Sequence, residues 1–274
     1  MKTIIAAAAV ALAAPILIAD AEAGAVRFDL GLTETLAPND DRSSGPVEIG
    51  FTVNFFGNTD DTLFVNNNGN VTLDQPLASF TPFDLTSTNR EIIAAFFADV
   101  DTRGGNGTVT YGQTMVDGRD AFAVTYDEVG YFDQRGDRLN TFQIVLIDRS
   151  DTGAGNFDIE FNYDQIQFET GDASDGEDGL GGDSARVGYS NGSGVEGTFF
   201  ELAGSAVNGA FLDGSASGLA LIANMLNSDV MGRYVFFARG GDVVAVDDVV
   251  PLPGAALFLV TGAAGIAAAR RRLG

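Results

Sequence analysis

The sequence predicts a single all-β domain, an antiparallel β-sandwich with one short helix, lying between an N-terminal signal peptide and a C-terminal transmembrane helix. Nine short apolar and aromatic runs, broken by Asn, Asp and Gly, follow one another between residues 47 and 239. Such runs are typical of antiparallel strands joined by turns. Uncharged apolar segments at both ends of the chain supply the two flanking signals.

The N-terminus has the three parts of a secretory signal peptide. A basic residue precedes an apolar run over residues 4–18, and Ala21 and Ala23 form an Ala-x-Ala cleavage site. We therefore expect residues 1–23 to be removed on export, with residues 24–44 as a lead-in to the main domain.

The main domain is predicted to span residues 45–240. Alternation of apolar and polar residues is clearest over residues 157–163, which indicates a strand with one face toward a core. Residues 218–228 instead place apolar side chains at helical spacing, which predicts a short helix packed on the sheet. An acidic linker, residues 241–249, follows the domain.

The C-terminal segment 250–274 combines a proline-containing motif, an apolar run and a basic cluster. Residues 252–269 carry no charge, close to the ~20 residues that span a bilayer as a helix. The basic cluster predicts that this end stays in the cytoplasm. The motif and cluster residues are Val250, Pro251, Leu252, Pro253, Arg270, Arg271 and Arg272.

This C-terminal arrangement resembles the PEP-CTERM sorting signals of Gram-negative bacteria, in their Val-Pro-Leu-Pro variant. The resemblance implies an exosortase as the processing partner. It also implies a transient inner-membrane anchor and delivery to the cell surface or an exopolysaccharide matrix. A simple single-pass anchor is the alternative interpretation.

Composition excludes several classes of function. Residues 24–250 carry 36 acidic residues against 11 arginines and no lysine, a net charge of −25, so nucleic acid is not expected as a partner. Cysteine and histidine are absent, which excludes Ser-His-Asp and Cys-His catalysis, histidine or cysteine zinc sites and disulfides. Carboxylate catalysis is the enzymatic chemistry that this composition permits.

Eight short motifs occur in a fixed order along the chain. They are FFG at 55–57, LFVNNNGNV at 63–71, IIAAFFADVDTR at 92–103, GTVTY at 107–111, NTFQ at 140–143, FETGDA at 168–173, ARVGY at 185–189 and GRYVF at 232–236. Together they resemble the NIDO domain of nidogen, mucins and tectorins over residues 45–238. The resemblance implies a non-enzymatic extracellular module linked to cell-matrix adhesion. We expect a matrix polysaccharide or another surface protein as its partner.

Two acidic groups are candidate calcium sites, because calcium takes six to eight oxygen ligands. Asp99 and Asp101 lie at a strand end. Their alternatives are hydrogen bonding to the following turn with an Arg103 ion pair, or a glycosidase carboxylate pair acting on matrix polysaccharide. The second group lies in a Gly-rich and Asp-rich loop, where a solvated acidic loop is the alternative. Its members are Asp172, Asp175, Glu177, Asp178 and Asp183.

No catalytic residue is predicted, and calcium is the one cofactor considered. The triplet Asp151-Thr152-Gly153 matches the catalytic triplet of aspartic proteases, which need two such carboxylates. A second triplet is missing from the sequence, so we interpret the first as a turn between strands.

Overall fold

A computed structural model describes residues 24–244 and contains sixteen strands in that range. The strands are β1 (Glu34–Leu36), β2 (Val47–Phe55), β3 (Asn58–Asn66), β4 (Asn70–Thr72), β5 (Glu91–Phe97), β6 (Val100–Asp101), β7 (Thr108–Val116), β8 (Arg119–Tyr131), β9 (Arg135–Asp148), β10 (Phe157–Ile166), β11 (Gly176–Glu177), β12 (Leu180–Gly181), β13 (Arg186–Asn191), β14 (Phe199–Glu201), β15 (Arg233–Arg239) and β16 (Asp242–Val244). Each of the nine predicted runs overlaps at least one of these strands.

The strands form two large antiparallel sheets that face each other as an open sandwich. One sheet has the order β1-β7-β8-β9-β10-β15-β16, with β6 beside β8, and the other has the order β14-β13-β5-β4-β3-β2. A separate small hairpin pairs β11 with β12. The prediction of an antiparallel, sandwich-like β domain is therefore confirmed.

The core lies between the two sheets. The alternating aromatic and aliphatic residues of 157–163 are each at most 1% exposed. They belong to the same hydrophobic cluster as Val65 of β3 and Ile93 of β5. Alternation in the sequence thus identified the inward face of β10 correctly.

Tyr126 of β8 also connects the two sheets, because its buried hydroxyl donates to the Asn66 carbonyl of β3 at 2.6 Å.

The hairpin between β7 and β8 shows how local sequence sets strand pairing. Asp117 and Gly118 are its two turn residues, and their φ angles are 50° and 77°. Positive φ at both positions defines the turn that matches the twist of two paired strands. Pairing accordingly continues from Val116 opposite Arg119 through the whole length of β7.

The chain passes from one sheet to the other at Asp99. Strand β5 belongs to the six-stranded sheet and β6 pairs with β8 of the other sheet. Ala98 and Asp99 alone separate these strands. We refer to residues 98–99 as the crossover.

The lead-in 24–44 packs against the main domain. Within it, β1 pairs with β7, the Arg27 guanidinium donates to the Glu160 carboxylate of β10 at 2.8 Å, and the Ser44 N–H donates to the Val65 carbonyl at 2.8 Å. The polar outer face of β10 is thereby covered, which explains why its Glu160 is only 4% exposed.

The expected α-helix over residues 218–228 is not formed. This segment contains one short 3₁₀ turn, Leu221–Ala223. The Asn224 side chain donates to the carbonyls of Gly218 and Ala220, and Leu226 forms backbone hydrogen bonds with Arg233 and Val235 of β15. The apolar residues at helical spacing turn toward the sheet without forming a helix. Backbone pairing with β15 overrides the helical pattern, because so short a helix is only marginally stable.

Both terminal signals lie outside the described residues. The predicted signal peptide with Ala21 and Ala23 precedes residue 24, and the sorting segment 250–274 follows residue 244. Between residues 24 and 244, no helix has the length and apolar character needed to cross a bilayer.

Candidate functional site

Three carboxylates converge beside the crossover. Oxygen atoms of Asp40, Asp41 and Asp99 all lie within 4.8 Å of one another. Across residues 24–244 this is the one group of three or more acidic side chains that meets so closely. We call it the acidic cluster.

Asp99 is the buried member of the acidic cluster. It is 1% exposed, and neither carboxylate oxygen has a hydrogen-bond partner among the described residues. Its backbone is fixed, because its carbonyl accepts from the Phe132 N–H at 3.3 Å. Gly171 closes one side of the carboxylate, since a Cβ added there would lie 2.3 Å from Asp99 Oδ2.

Asp40 and Asp41 come from the lead-in and are half-buried. Asp40 Oδ2 pairs with the Arg103 guanidinium at 2.9 Å, whereas its Oδ1 is buried without a partner in the described part of the chain. Asp41 Oδ1 accepts from Asn68 Nδ2 at 3.0 Å. Both aspartates line an open surface pocket of about 330 Å³, so the cluster is reached from solvent on their side.

Three consecutive asparagines, Asn66, Asn67 and Asn68, hold the lead-in against the crossover. All three are at most 1% exposed. Asn67 Nδ2 donates to the carbonyls of both Asp40 and Val100 at 2.6 Å. Asn68 accepts from the Val100 N–H through Oδ1 at 2.9 Å, while its Nδ2 holds the Asp41 carboxylate. These amides therefore set the positions of all three carboxylates.

The acidic cluster is electrostatically strained. Burial, reinforced by the neighbouring charges of Asp40 and Asp41, raises the pKa of Asp99 from 3.8 to about 7. Burial, together with the charges of Asp101 and Asp41, raises the pKa of Asp40 from 3.8 to about 6. Both shifts follow from burial and from repulsion among the carboxylates, which the charge of Arg103 offsets only in part.

Asp101 serves a different purpose from Asp99, although both were candidates for one site. Its Oδ2 accepts from Arg103 at 2.6 Å and from the Gln134 N–H at 2.9 Å. Burial opposes ionisation, but these hydrogen bonds with Arg103 and Gln134 lower its pKa overall. The alternative in which the carboxylate accepts hydrogen bonds and pairs with Arg103 applies to Asp101. It does not apply to Asp99, whose carboxylate has no hydrogen-bond partner within residues 24–244.

The acidic loop does not form a comparable cluster. All five of its candidate residues, Asp172, Asp175, Glu177, Asp178 and Asp183, are exposed. Asp172 and Asp178 approach the Arg135 guanidinium at 3.6 and 3.7 Å. Calcium binding by this loop stays a prediction.

The triplet at Asp151 is a turn between β9 and β10. It lies in the 3₁₀ turn Ser150–Thr152. The exposed Asp151 carboxylate pairs with Arg119 at 2.7 Å and with Arg149 at 3.3 Å. This arrangement offers no second carboxylate sharing a proton, as aspartic protease chemistry requires.

Asp40 and Asp41 are the residues that sequence reasoning missed. Their sequence signal is a pair of adjacent aspartates within Pro38–Arg42. That signal is weak, because adjacent acidic residues in a polar segment are usually solvated. The stronger signal was the asparagine run 66–68 between two apolar segments, at the end of β3 and in the turn to β4, where buried amides must find hydrogen-bond partners.

The chemistry of the site is that of an all-oxygen ligand set. Carboxylate oxygens favour hard cations such as calcium or magnesium. Asp99 has no solvent-exposed oxygen, so it is poorly placed to exchange protons with an external substrate. The geometry favours ion binding over catalysis.

Comparison with known proteins identifies relatives of this chain. Alpha-tectorin of Mus musculus and of Homo sapiens are each 33% identical over 230 residues, which cover 74% of this chain and 10% of the relative. Nidogen of Drosophila melanogaster is 30% identical over 137 residues, 41% of this chain and 10% of that protein. The chain thus spans about a tenth of the length of these curated relatives.

No solved structure matches the chain. The family model for the nidogen-like domain, NIDO, matches residues 61–239. The match includes β4 to β15 and ends where β15 ends. This chain therefore belongs to the nidogen-like domain family.

Proposed function

We propose that this protein is exported and non-enzymatic, and that its nidogen-like domain attaches it to an extracellular matrix. The family match over residues 61–239 carries the proposal. NIDO domains are extracellular modules associated with cell-matrix adhesion, and the predicted signal peptide agrees with that location. The partner that we propose is a matrix polysaccharide or another surface protein.

The net charge of the domain indicates which charge its ligand should carry. The region 24–250 carries a net charge of −25. Nine of its arginines already form ion pairs within the domain, namely Arg27, Arg90, Arg103, Arg119, Arg135, Arg149, Arg186, Arg233 and Arg239. A strongly acidic polysaccharide would be repelled. A neutral polysaccharide or a basic protein surface fits this charge better.

The rival proposal is a glycosidase that uses paired carboxylates. It needs two carboxylates on either side of a sugar bound in an open cleft. Asp99 is buried and Asp101 is engaged by Arg103, which disfavours this pair as acid and nucleophile. We therefore propose a binding role rather than hydrolysis.

The finer part of the proposal concerns processing. The VPLP motif at 250–253, the apolar run and the arginine cluster support an exosortase as the processing enzyme, in a Gram-negative host. In this view the protein is held in the inner membrane briefly and is then passed to the surface or the matrix.

Intact mass measured on protein from the surface and medium of the native host tests both termini. We expect a species that begins at Gly24 and ends within residues 250–254. A tail through Gly274 in every fraction would contradict exosortase processing and leave an ordinary anchored ectodomain.

Matrix attachment needs a separate test. Cells lacking the protein are supplied with the wild-type chain or with a triple alanine variant at 270–272, and the matrix, medium and membrane fractions are quantified. We expect the wild-type protein in the matrix and the variant in the membrane. Recovery of the wild-type protein entirely in the medium would contradict a matrix role.

A further inference from the structure

We infer that Asp40, Asp41 and Asp99 bind one calcium ion, which joins the lead-in to the crossover between the two sheets. The ion would link two parts of the chain about sixty residues apart in sequence. This inference concerns the domain itself, so it stands or fails separately from export and processing.

The carboxylate of Asp99 is the first argument. Other buried carboxylates in the domain have partners: Glu169 accepts from the N–H groups of Gly209 and Phe211, and Glu160 accepts from Arg27. Asp99 is as buried as these, yet both its oxygens lack a partner within residues 24–244. A buried unsatisfied carboxylate is costly in either protonation state, so its proximity to Asp40 and Asp41 indicates a cation as the shared partner.

The choice between calcium and magnesium follows from their coordination chemistry. Calcium binds oxygen at about 2.3–2.6 Å, so two ligands on opposite sides of it lie about 4.8 Å apart. Magnesium binds at about 2.0–2.1 Å, which requires opposite ligands about 4.1 Å apart. Oxygens of the acidic cluster lie within 4.8 Å of one another, close enough to share one ion. Magnesium gives up its water reluctantly, so the buried carboxylate of Asp99 favours calcium.

Ligand capacity and charge agree with a dication. Both Asp99 oxygens and Oδ1 of Asp40 have no hydrogen-bond partner in the described chain. Arg103 balances only part of the charge of Asp40 through its 2.9 Å ion pair, because it also pairs with Asp101 at 2.6 Å. The negative charge left on the three carboxylates suits a dication such as calcium, and water from the pocket of about 330 Å³ beside Asp40 and Asp41 would complete its coordination.

Calorimetric titration of CaCl₂ into the exported chain, stripped first with a chelator, tests the inference. We expect one ion per chain, a Kd on the order of 10⁻⁴ M as in extracellular calcium modules, and a calcium-dependent rise in Tm. Asp99→Asn should weaken binding by about tenfold or more. Asp41→Asn, at the half-buried edge of the site, should do the same with little risk to folding.

The matched control removes carboxylates from the acidic loop. An Asp175→Asn/Asp178→Asn double variant should bind calcium as the wild type does. Loss of binding in this variant but not in Asp99→Asn would overturn the inference in favour of a loop site. Absence of any heat or Tm change with CaCl₂ would also overturn it.

Magnesium chloride provides the second comparison. We expect MgCl₂ at the same concentration to raise Tm much less than CaCl₂. An equal or larger response to magnesium would overturn the assignment of the site to calcium.

Discussion

The hydroxyl of Tyr163 donates a 2.6 Å hydrogen bond to the carbonyl of Ala95, from β10 in one sheet to β5 in the other. Ala95 lies where the pairing of β5 with β13 shifts register. Both residues are at most 1% exposed. This bond thus fastens the two sheets together within the core, a few residues before the crossover.

Tyr163→Phe should lower the free energy of unfolding by about 1–2 kcal/mol, because the buried Ala95 carbonyl loses its donor. Chemical denaturation of the two proteins measures this difference. Tyr111→Phe is the matched control, since Tyr111 is half-buried and its hydroxyl has no hydrogen bond within residues 24–244. Equal destabilisation by both variants would show that the inter-sheet bond contributes nothing specific.

The calcium-free protein should lose stability as pH rises from about 4 to 7. Asp99 has a raised pKa in the folded state, about 7 against 3.8, so the folded protein holds its proton over this range while the unfolded chain releases it. The charges that face it are Asp40, Asp41 and Asp101, opposed by Arg103. Asp40, with its pKa raised to about 6, acts in the same direction.

Asp99→Asn should remove the part of this pH dependence that comes from Asp99 and leave the smaller part that comes from Asp40. At pH 8 without calcium, the variant should be more stable than the wild type by about 2–4 kcal/mol, because one pKa unit corresponds to about 1.4 kcal/mol. Denaturation curves collected from pH 4 to 8 in a chelator measure the slope. An unchanged slope in the variant would assign the pH dependence to another group.

Gly171→Ala should weaken calcium binding. The backbone of Gly171 is extended, with φ −109° and ψ 166°, so alanine adopts it without strain. Its new Cβ would nevertheless meet Asp99 Oδ2 at 2.3 Å, and crowding of this kind costs about 1–3 kcal/mol. Gly45→Ala is the control, because nothing lies within 4 Å of a Cβ there. Calcium titration and Tm should change for the first variant alone.

Glu160→Gln should release the start of the lead-in. Glu160 accepts from Arg27 at 2.8 Å and approaches Arg233 at 3.4 Å, and losing hydrogen bonds to charged groups at a partly buried site costs about 1–3 kcal/mol. Hydrogen exchange should rise in residues 24–30, and the free energy of unfolding should fall. Asp151→Asn, which breaks an exposed pair with Arg119, should leave both measurements unchanged.

Much of the strand content was predictable because its determinants are local. Alternation over 157–163 reports burial on one face of one strand, and the pair Asp117-Gly118 favours positive φ without any distant contact. The prediction of a helix over residues 218–228 was wrong for the opposite reason. Its apolar spacing suits a helix, but backbone bonds from Leu226 to β15 decide its path.

The sequence by itself determined the antiparallel β class and the exclusion of histidine and cysteine chemistry, since these follow from local pattern and composition. The family was indicated by the resemblance of eight motifs that occur in order. The tertiary structure decided which carboxylates meet. Asp99 and Asp101 are two residues apart, yet one joins Asp40 and Asp41 while the other binds Arg103. Their separation arises because the chain changes sheets at Asp99 and the lead-in folds back onto that point, and no local pattern encodes a contact between such distant segments.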